Sequence, residues 1–166
     1  ARQALPRELP YKDAVYNVSR VGLLPAAMNP VVLAQAAQQG KSGVAAAPAQ
    51  DADTCACSGG TRESAFADEL AAAQAQSNAL LFTATQDKLH QPYRGALMPP
   101  STELIALFRS KGYAAAVSGA GPCVLVLHYG NAREAIDQIA SEQLASGHWR
   151  VLHLPINTAG VEIERR

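Results

Sequence analysis

Apolar residues recur at helical spacing early in the chain. Val15, Val18 and Val21 or Gly22 share one face of a helix predicted over 11–28, with Asp13 in its first turn. Pro25 has no N–H for the carbonyl of Val21, so it should kink or end that helix, and Asn29-Pro30 is a second stop. A short helical piece, 31–39, ends at Gly40. From there to about Gly60 the text is Ala, Gly, Ser, Asp and Pro, with Val44 its only large aliphatic residue. Such a segment buries too little apolar surface to offset its own ordering, which predicts a flexible, exposed insertion.

Helical text resumes near Glu63 and runs to about Leu89, with Phe66, Leu70, Leu81 and Phe82 as its expected core residues. Pro92, Gly95, Pro99 and Pro100 mark 90–100 as a loop. A helix over 102–111 follows, with Ser101 as N-cap, Gly112 as the residue past its end, and Leu104, Ile105, Leu107 and Phe108 inward. Ala114 to Val117 and Val124 to Leu127 read as strands joined by Ser118-Gly-Ala-Gly-Pro-Cys123, a connection short enough to demand an antiparallel hairpin. Asn131 and Glu134 form a capping-box pattern before a helix that Gly147 ends. Its apolar face is Ala132, Ala135, Ile136, Ile139 and Leu144. Val151 to Leu154 and Val161 to Ile163 read as the last strands. The order predicts an α+β sandwich, helices against an antiparallel sheet.

At 166 residues the chain has room for one domain of ordinary size. Lys and Arg total 14, as do Asp and Glu, so the formal charge is zero. That argues against a nucleic-acid surface or a polybasic membrane patch. No apolar run approaches the ~20 residues of a membrane span, and no basic-then-apolar leader is present, so the expected place is the cytoplasm. The chain opens on Ala1 in polar, helix-like text, which reads as the later part of a longer protein. Cys55, Cys57 and Cys123 are too few for a disulfide framework and wrongly spaced for zinc. Cys123 should pack as a small apolar residue. His128, His148 and His153 are scattered and carry no ligand pattern.

Two segments could carry chemistry. In Ser118 to Pro122 the glycines let backbone N–H groups approach an anion, although the spacing fits neither a dinucleotide fingerprint nor a Walker loop. On spacing alone the favoured reading is a structural hairpin turn. In His90-Gln-Pro-Tyr-Arg94 a loop arginine could grip a carboxylate or phosphate with two parallel bonds, or be an ordinary surface arginine. Asn17 and Arg20 lie about one helical turn apart and could face one site or solvent, and Arg2 alone signals nothing.

Together the strings ARQALP at 1–6, DAVYNVSR at 13–20, ATQDKLHQPYRGALMP at 84–99 and AAAVSGAGPCVLVL at 114–127 resemble the C-terminal half of the homoserine kinase family. That family lies within the galactokinase, homoserine kinase, mevalonate kinase and phosphomevalonate kinase superfamily. The likeness excludes roughly 40–76, which would be an insertion between two helices that the family joins closely. It implies a ferredoxin-like C-terminal domain, with part of the sheet and the N-terminal ATP-binding domain upstream of Ala1. The Pro-x-x-x-Gly-Leu-Gly-Ser-Ser loop that wraps ATP in that family is absent from this sequence. The implied reaction is transfer of the ATP γ-phosphoryl group to the hydroxyl of L-homoserine, in threonine biosynthesis. By motif position Arg2 and Arg94 match the arginines that hold the homoserine carboxylate. Ser118, Gly119, Ala120, Gly121 and Pro122 match the third motif, beside phosphate and substrate. Asn17 and His90 match substrate-side positions of unassigned role. ATP and Mg2+ would be held mainly by the N-terminal domain, and no catalytic residue falls in this chain. The implied partners are that domain and a possible second copy of the chain. Two other readings stay open: a non-catalytic amino-acid-binding module, and a superfamily kinase for another small alcohol.

Overall fold

The computed structural model describes residues 4–29, 62–155 and 163. Arg2, the helical piece at 31–39, the segment 41–60 and the strand text at 161–162 lie outside the described residues. The chain divides into two units, one up to Gly130 and one from Asn131 onward.

In the first unit, helix α1 (Tyr11–Val21) begins after Pro10 and stops before Gly22, and Pro25 falls in the first turn of a separate short helix, α2 (Leu24–Ala27). Proline thus ends one helix and opens another, where its missing N–H costs nothing. The shared valine face is exposed: Val18 is 74% accessible. The half-buried face is instead the polar one, Asp13, Tyr16, Asn17 and Arg20, because it packs on the polar segment after α3.

Helix α3 (Arg62–Ala84) spans 23 residues and begins where helical text was expected to resume, so positions 62–76, which the resemblance left in the insertion, are helical. It ends at Ala84 rather than Leu89, where Thr85 turns its hydroxyl back onto the Leu81 carbonyl. Ala73, Ser77, Leu81 and Ala84 are buried at intervals of four, four and three, a single helical stripe. Its small residues let neighbours approach closely. Ala27, Leu81 and Ala114 are buried together, with Leu24, Leu80, Phe82, Leu127 and Tyr129 around them.

The expected loop at 90–100 is instead mostly helical, with His90 and Met98 as the non-helical positions. Helix α4 (Gln91–Arg94) passes into a 3-10 turn, Gly95–Leu97, and α5 (Pro99–Ser110) starts three residues before the expected position. Each proline sits in a first turn, so the residues that suggested loop in fact start helices. Ser101 is therefore inside the helix and buried, not an N-cap. The C-terminus of α5 closes as expected: Gly112 has φ +85°, its N–H reaches the Arg109 carbonyl, and the Tyr113 N–H reaches the Phe108 carbonyl.

Strands β1 (Ala114–Val117) and β2 (Val124–Leu127) pair antiparallel, Ala114 opposite Leu127 and Val117 opposite Val124. They form a two-stranded sheet. Strand β1 packs on α5 and α3, and Leu104, Ile105 and Phe108 are buried along α5. Burial of a side chain such as Phe108 is worth about 2–3 kcal/mol. The arrangement is α+β, with helices on an antiparallel hairpin.

In the second unit, α6 (Arg133–Ile139) and α7 (Ser141–Ala145) follow one another closely. Ala132, not Asn131, stands at the N-cap, and no side chain caps the helix. Gly147, at φ +75°, follows α7 as expected. Residues 151–155 are exposed and not strand: Val151, Leu152 and Leu154 read as strand text but have no partner strand among the described residues. His153 pairs with Asp137 at 3.0 Å.

Candidate functional site

The site is built around the hairpin turn. Within it the Ser118 N–H donates to the Cys123 carbonyl at 2.8 Å, and the Gly121 N–H donates to the Ser118 carbonyl at 3.2 Å. Gly119 and Gly121 have φ of +61° and +85°, a conformation that only glycine adopts cheaply. The Gly121–Pro122 peptide is cis. Ser118, Gly119, Ala120 and Pro122 are exposed, so among the described residues of this unit no helix covers them. The N–H groups of Gly119 and Ala120 donate to no carbonyl among the described residues. They are left for solvent or an anion. Cys123, expected to pack inward, is exposed.

Three contacts brace this turn against the segment that carries Arg94. The Val117 N–H donates to the Gln91 side-chain oxygen at 3.1 Å. The buried Ser101 hydroxyl donates to the Pro122 carbonyl at 2.6 Å. The Met98 thioether lies where a side chain on Gly121 would have to go. Sequence reasoning missed all three residues, because each looked like loop text or an N-cap.

Arg94 ends α4 and is half-buried. Its Nε is buried without a hydrogen-bond partner. Among the described residues no acidic side chain pairs with it.

Asn17 and His90 converge on Asp87, a residue not singled out from sequence. The Asn17 amide donates to the Asp87 carboxylate at 2.6 Å, and its oxygen accepts the Lys88 N–H at 2.9 Å. The same carboxylate accepts the backbone N–H groups of Leu89, His90 and Gln91 at 2.7, 3.0 and 2.7 Å. The His90 ring stands 3.7 Å from it. Burial tends to raise the Asp87 carboxyl, but the Asn17 amide and the three backbone donors hold it below the usual carboxylate range. The signal in sequence was an aspartate four residues before the first residue of a Pro-containing turn. Arg20 lies over the Tyr16 ring, 4.4 Å from its centre, and does not meet Arg94 in any recorded contact.

Beside these residues is a cavity of about 410 Å3, lined by Tyr16, Gln86, Lys88, Gln91, Arg109 and Val117 among others. Arg109 is held within its wall, donating to Thr85 Oγ1, the Ala115 carbonyl and the Phe82 carbonyl at 3.1, 3.0 and 2.7 Å. Burial lowers its pKa from the ordinary arginine value. Among the described residues, no group of three or more His, Cys, Asp or Glu side chains is placed to hold a metal ion.

With this geometry in hand, the model of the GHMP kinase C-terminal domain matches residues 64–145, from α3 through the hairpin to α7. This chain carries a GHMP kinase C-terminal domain. Among curated proteins it is similar to the homoserine kinase of Clavibacter michiganensis, 32% identical over 166 residues, which covers 99% of this chain and 37% of that protein. The homoserine kinase of Leifsonia xyli is 33% identical over 167 residues, with the same two shares. That of Corynebacterium aurimucosum is 45% identical over 86 residues, 52% of this chain and 26% of its own length. The chain thus spans little more than a third of the first two relatives. Among the described residues no helix is long and apolar enough to cross a membrane.

Proposed function

We propose that this chain is the ferredoxin-like, substrate-side part of a homoserine kinase, cytoplasmic, and completed by an N-terminal ATP-binding domain into a two-domain enzyme. In the reaction the homoserine hydroxyl oxygen bonds to the γ-phosphorus of ATP, the bond to the β-phosphate bridging oxygen breaks, ADP leaves and the hydroxyl proton is released. Positioning and charge neutralisation dominate such transfers. In this reading Arg94, with Arg2, holds the substrate carboxylate, and the Gly119 and Ala120 N–H groups face a phosphate. Mg2+ would be bound by the N-terminal domain.

The single observation that carries the reading is the state of Arg94. A surface arginine normally finds an acid or water for its whole guanidinium. Among the described residues this one has a buried Nε without a partner and no paired carboxylate, on a segment braced to the glycine turn. An unpaired cation with a shielded edge is suited to a planar anion gripped from the exposed side. The names of the relatives, all homoserine kinase, agree with that chemistry. The test is ATP-dependent phosphorylation by the full-length protein. L-Homoserine should be turned over far more efficiently than 3-amino-1-propanol, which has the same hydroxyl and amine but no carboxylate. Equal use of the two, or no use of homoserine, would reject the reading.

A further inference from the structure

We propose that Asp87 is a positioning residue for substrate recognition: held by Asn17, it fixes the start of the Gln91–Arg94 turn and so the direction in which Arg94 is presented. This inference rests on the carboxylate role proposed for Arg94.

Helix α4 has only four residues and no N-cap side chain of its own, since His90 occupies that position without a capping bond. A helix so short does not form by itself. Asp87 supplies what is missing. Its two oxygens accept the N–H groups of Leu89, His90 and Gln91, which would otherwise be unsatisfied donors at the start of the turn. The Asn17 amide then fastens that carboxylate to α1, and its oxygen takes the Lys88 N–H, so the junction is held on both sides. The neighbouring Tyr16 hydroxyl, bonded to Gln86, adds a further tie between the same two elements. From Asp87 the path to Arg94 is a single turn: the His90 carbonyl accepts the Arg94 N–H at 3.0 Å. Gln91 is also bonded to β1 through its side-chain oxygen, which sets the same start of the turn against the glycine loop. Arg94 therefore sits on a segment fixed from two directions. Its own side chain supplies no bond from Nε to hold it, so its aim depends on that frame.

Asn17 and His90 take a different meaning from this arrangement. Both match substrate-side positions by motif, and both face Asp87. Asn17 acts through Asp87, and the exposed His90 ring is kept beside it.

The experiment compares steady-state kinetics of the full-length kinase and its Asp87→Asn variant. An asparagine presents one acceptor oxygen and one donor where the site has four donors, so at least two bonds are lost. The homoserine KM should rise about tenfold or more while the ATP KM stays within about twofold, since loss of hydrogen bonds to a charged group is of that order. In an Arg94→Lys background Asp87→Asn should add little, because both changes spoil one contact. The milder Asn17→Ser, which keeps the three backbone bonds, should shift the homoserine KM in the same direction by a smaller factor and covers the case in which Asp87→Asn fails to fold. A homoserine KM unchanged in both variants overturns the inference, as does an Asp87→Asn loss that multiplies fully with that of Arg94→Lys. If Arg94→Lys weakens homoserine use and neither Asp87→Asn nor Asn17→Ser does, the positioning role fails while the carboxylate role stands. If the wild-type protein does not use homoserine, both fall.

Discussion

At Gly121 and Gly119 one conformational demand meets two different surroundings. Both have positive φ, yet a Cβ on Gly119 meets nothing within 4 Å, whereas one on Gly121 falls on the Met98 thioether. Gly119→Ala should therefore cost only the left-handed backbone penalty, ~1–2 kcal/mol, and Gly121→Ala more than that. Adding Met98→Ala should recover part of the Gly121→Ala excess by opening the space, although it removes buried packing of its own. Urea unfolding of the three variants and of Met98→Ala alone checks this. Ser77 behaves oppositely: its hydroxyl is fully buried in the α3 stripe without a partner. Ser77→Ala removes an unsatisfied polar atom, so it should leave stability unchanged or raise it by about 1 kcal/mol. Asp87 adds a pH dependence. Its folded pKa lies below the ordinary carboxylate value near 3.9, so its contribution is complete above that value and fades as pH falls through the lower folded one. Chemical unfolding of wild type and Asp87→Asn should show a stability gap at pH 7 that narrows below about pH 4.

At the scale of elements, Arg109 joins three of them. It donates to the Phe82 carbonyl at the end of α3, to Thr85 just beyond, and to Ala115 on β1, while its plane lies 4.2 Å from the Phe82 ring centre. Arg109→Ala leaves those acceptors unpaired and uncovers the ring, and should lower stability by about 2–3 kcal/mol in thermal unfolding. The elements that sequence made legible were those with strong local rules. The hairpin followed from two short apolar runs around paired glycines, and the end of α5 from Gly112. Of the α3 stripe Leu81 was legible as a large apolar residue, whereas Ala73 and Ser77 were not, because they pack through being small. The turns at 91–97 were hidden because Pro92, Pro99 and Pro100 mark helix starts as readily as loops. Val151 to Leu154 failed as a strand for a non-local reason: apolar text proposes a strand, but only a partner makes one. At the site, the glycine turn and Arg94 could be picked out by residue type. Asp87, Gln91, Met98 and Ser101 could not, since their roles arise from contacts with residues up to 70 positions away.

For the whole molecule, the chain matches little more than a third of its first two homoserine kinase relatives, and its sequence lacks the glycine-serine ATP loop. The purified 166-residue chain should therefore show no homoserine phosphorylation above background, while the full-length protein turns over. In that full-length enzyme the central claim is the grip of Arg94 on a carboxylate. Arg94→Lys keeps the charge and removes the planar fork. The account predicts a roughly ten- to hundredfold fall in kcat/KM for L-homoserine, equivalent to ~1.5–3 kcal/mol, with the ATP KM nearly unchanged. An Arg94→Lys enzyme that uses homoserine as efficiently as wild type would contradict it.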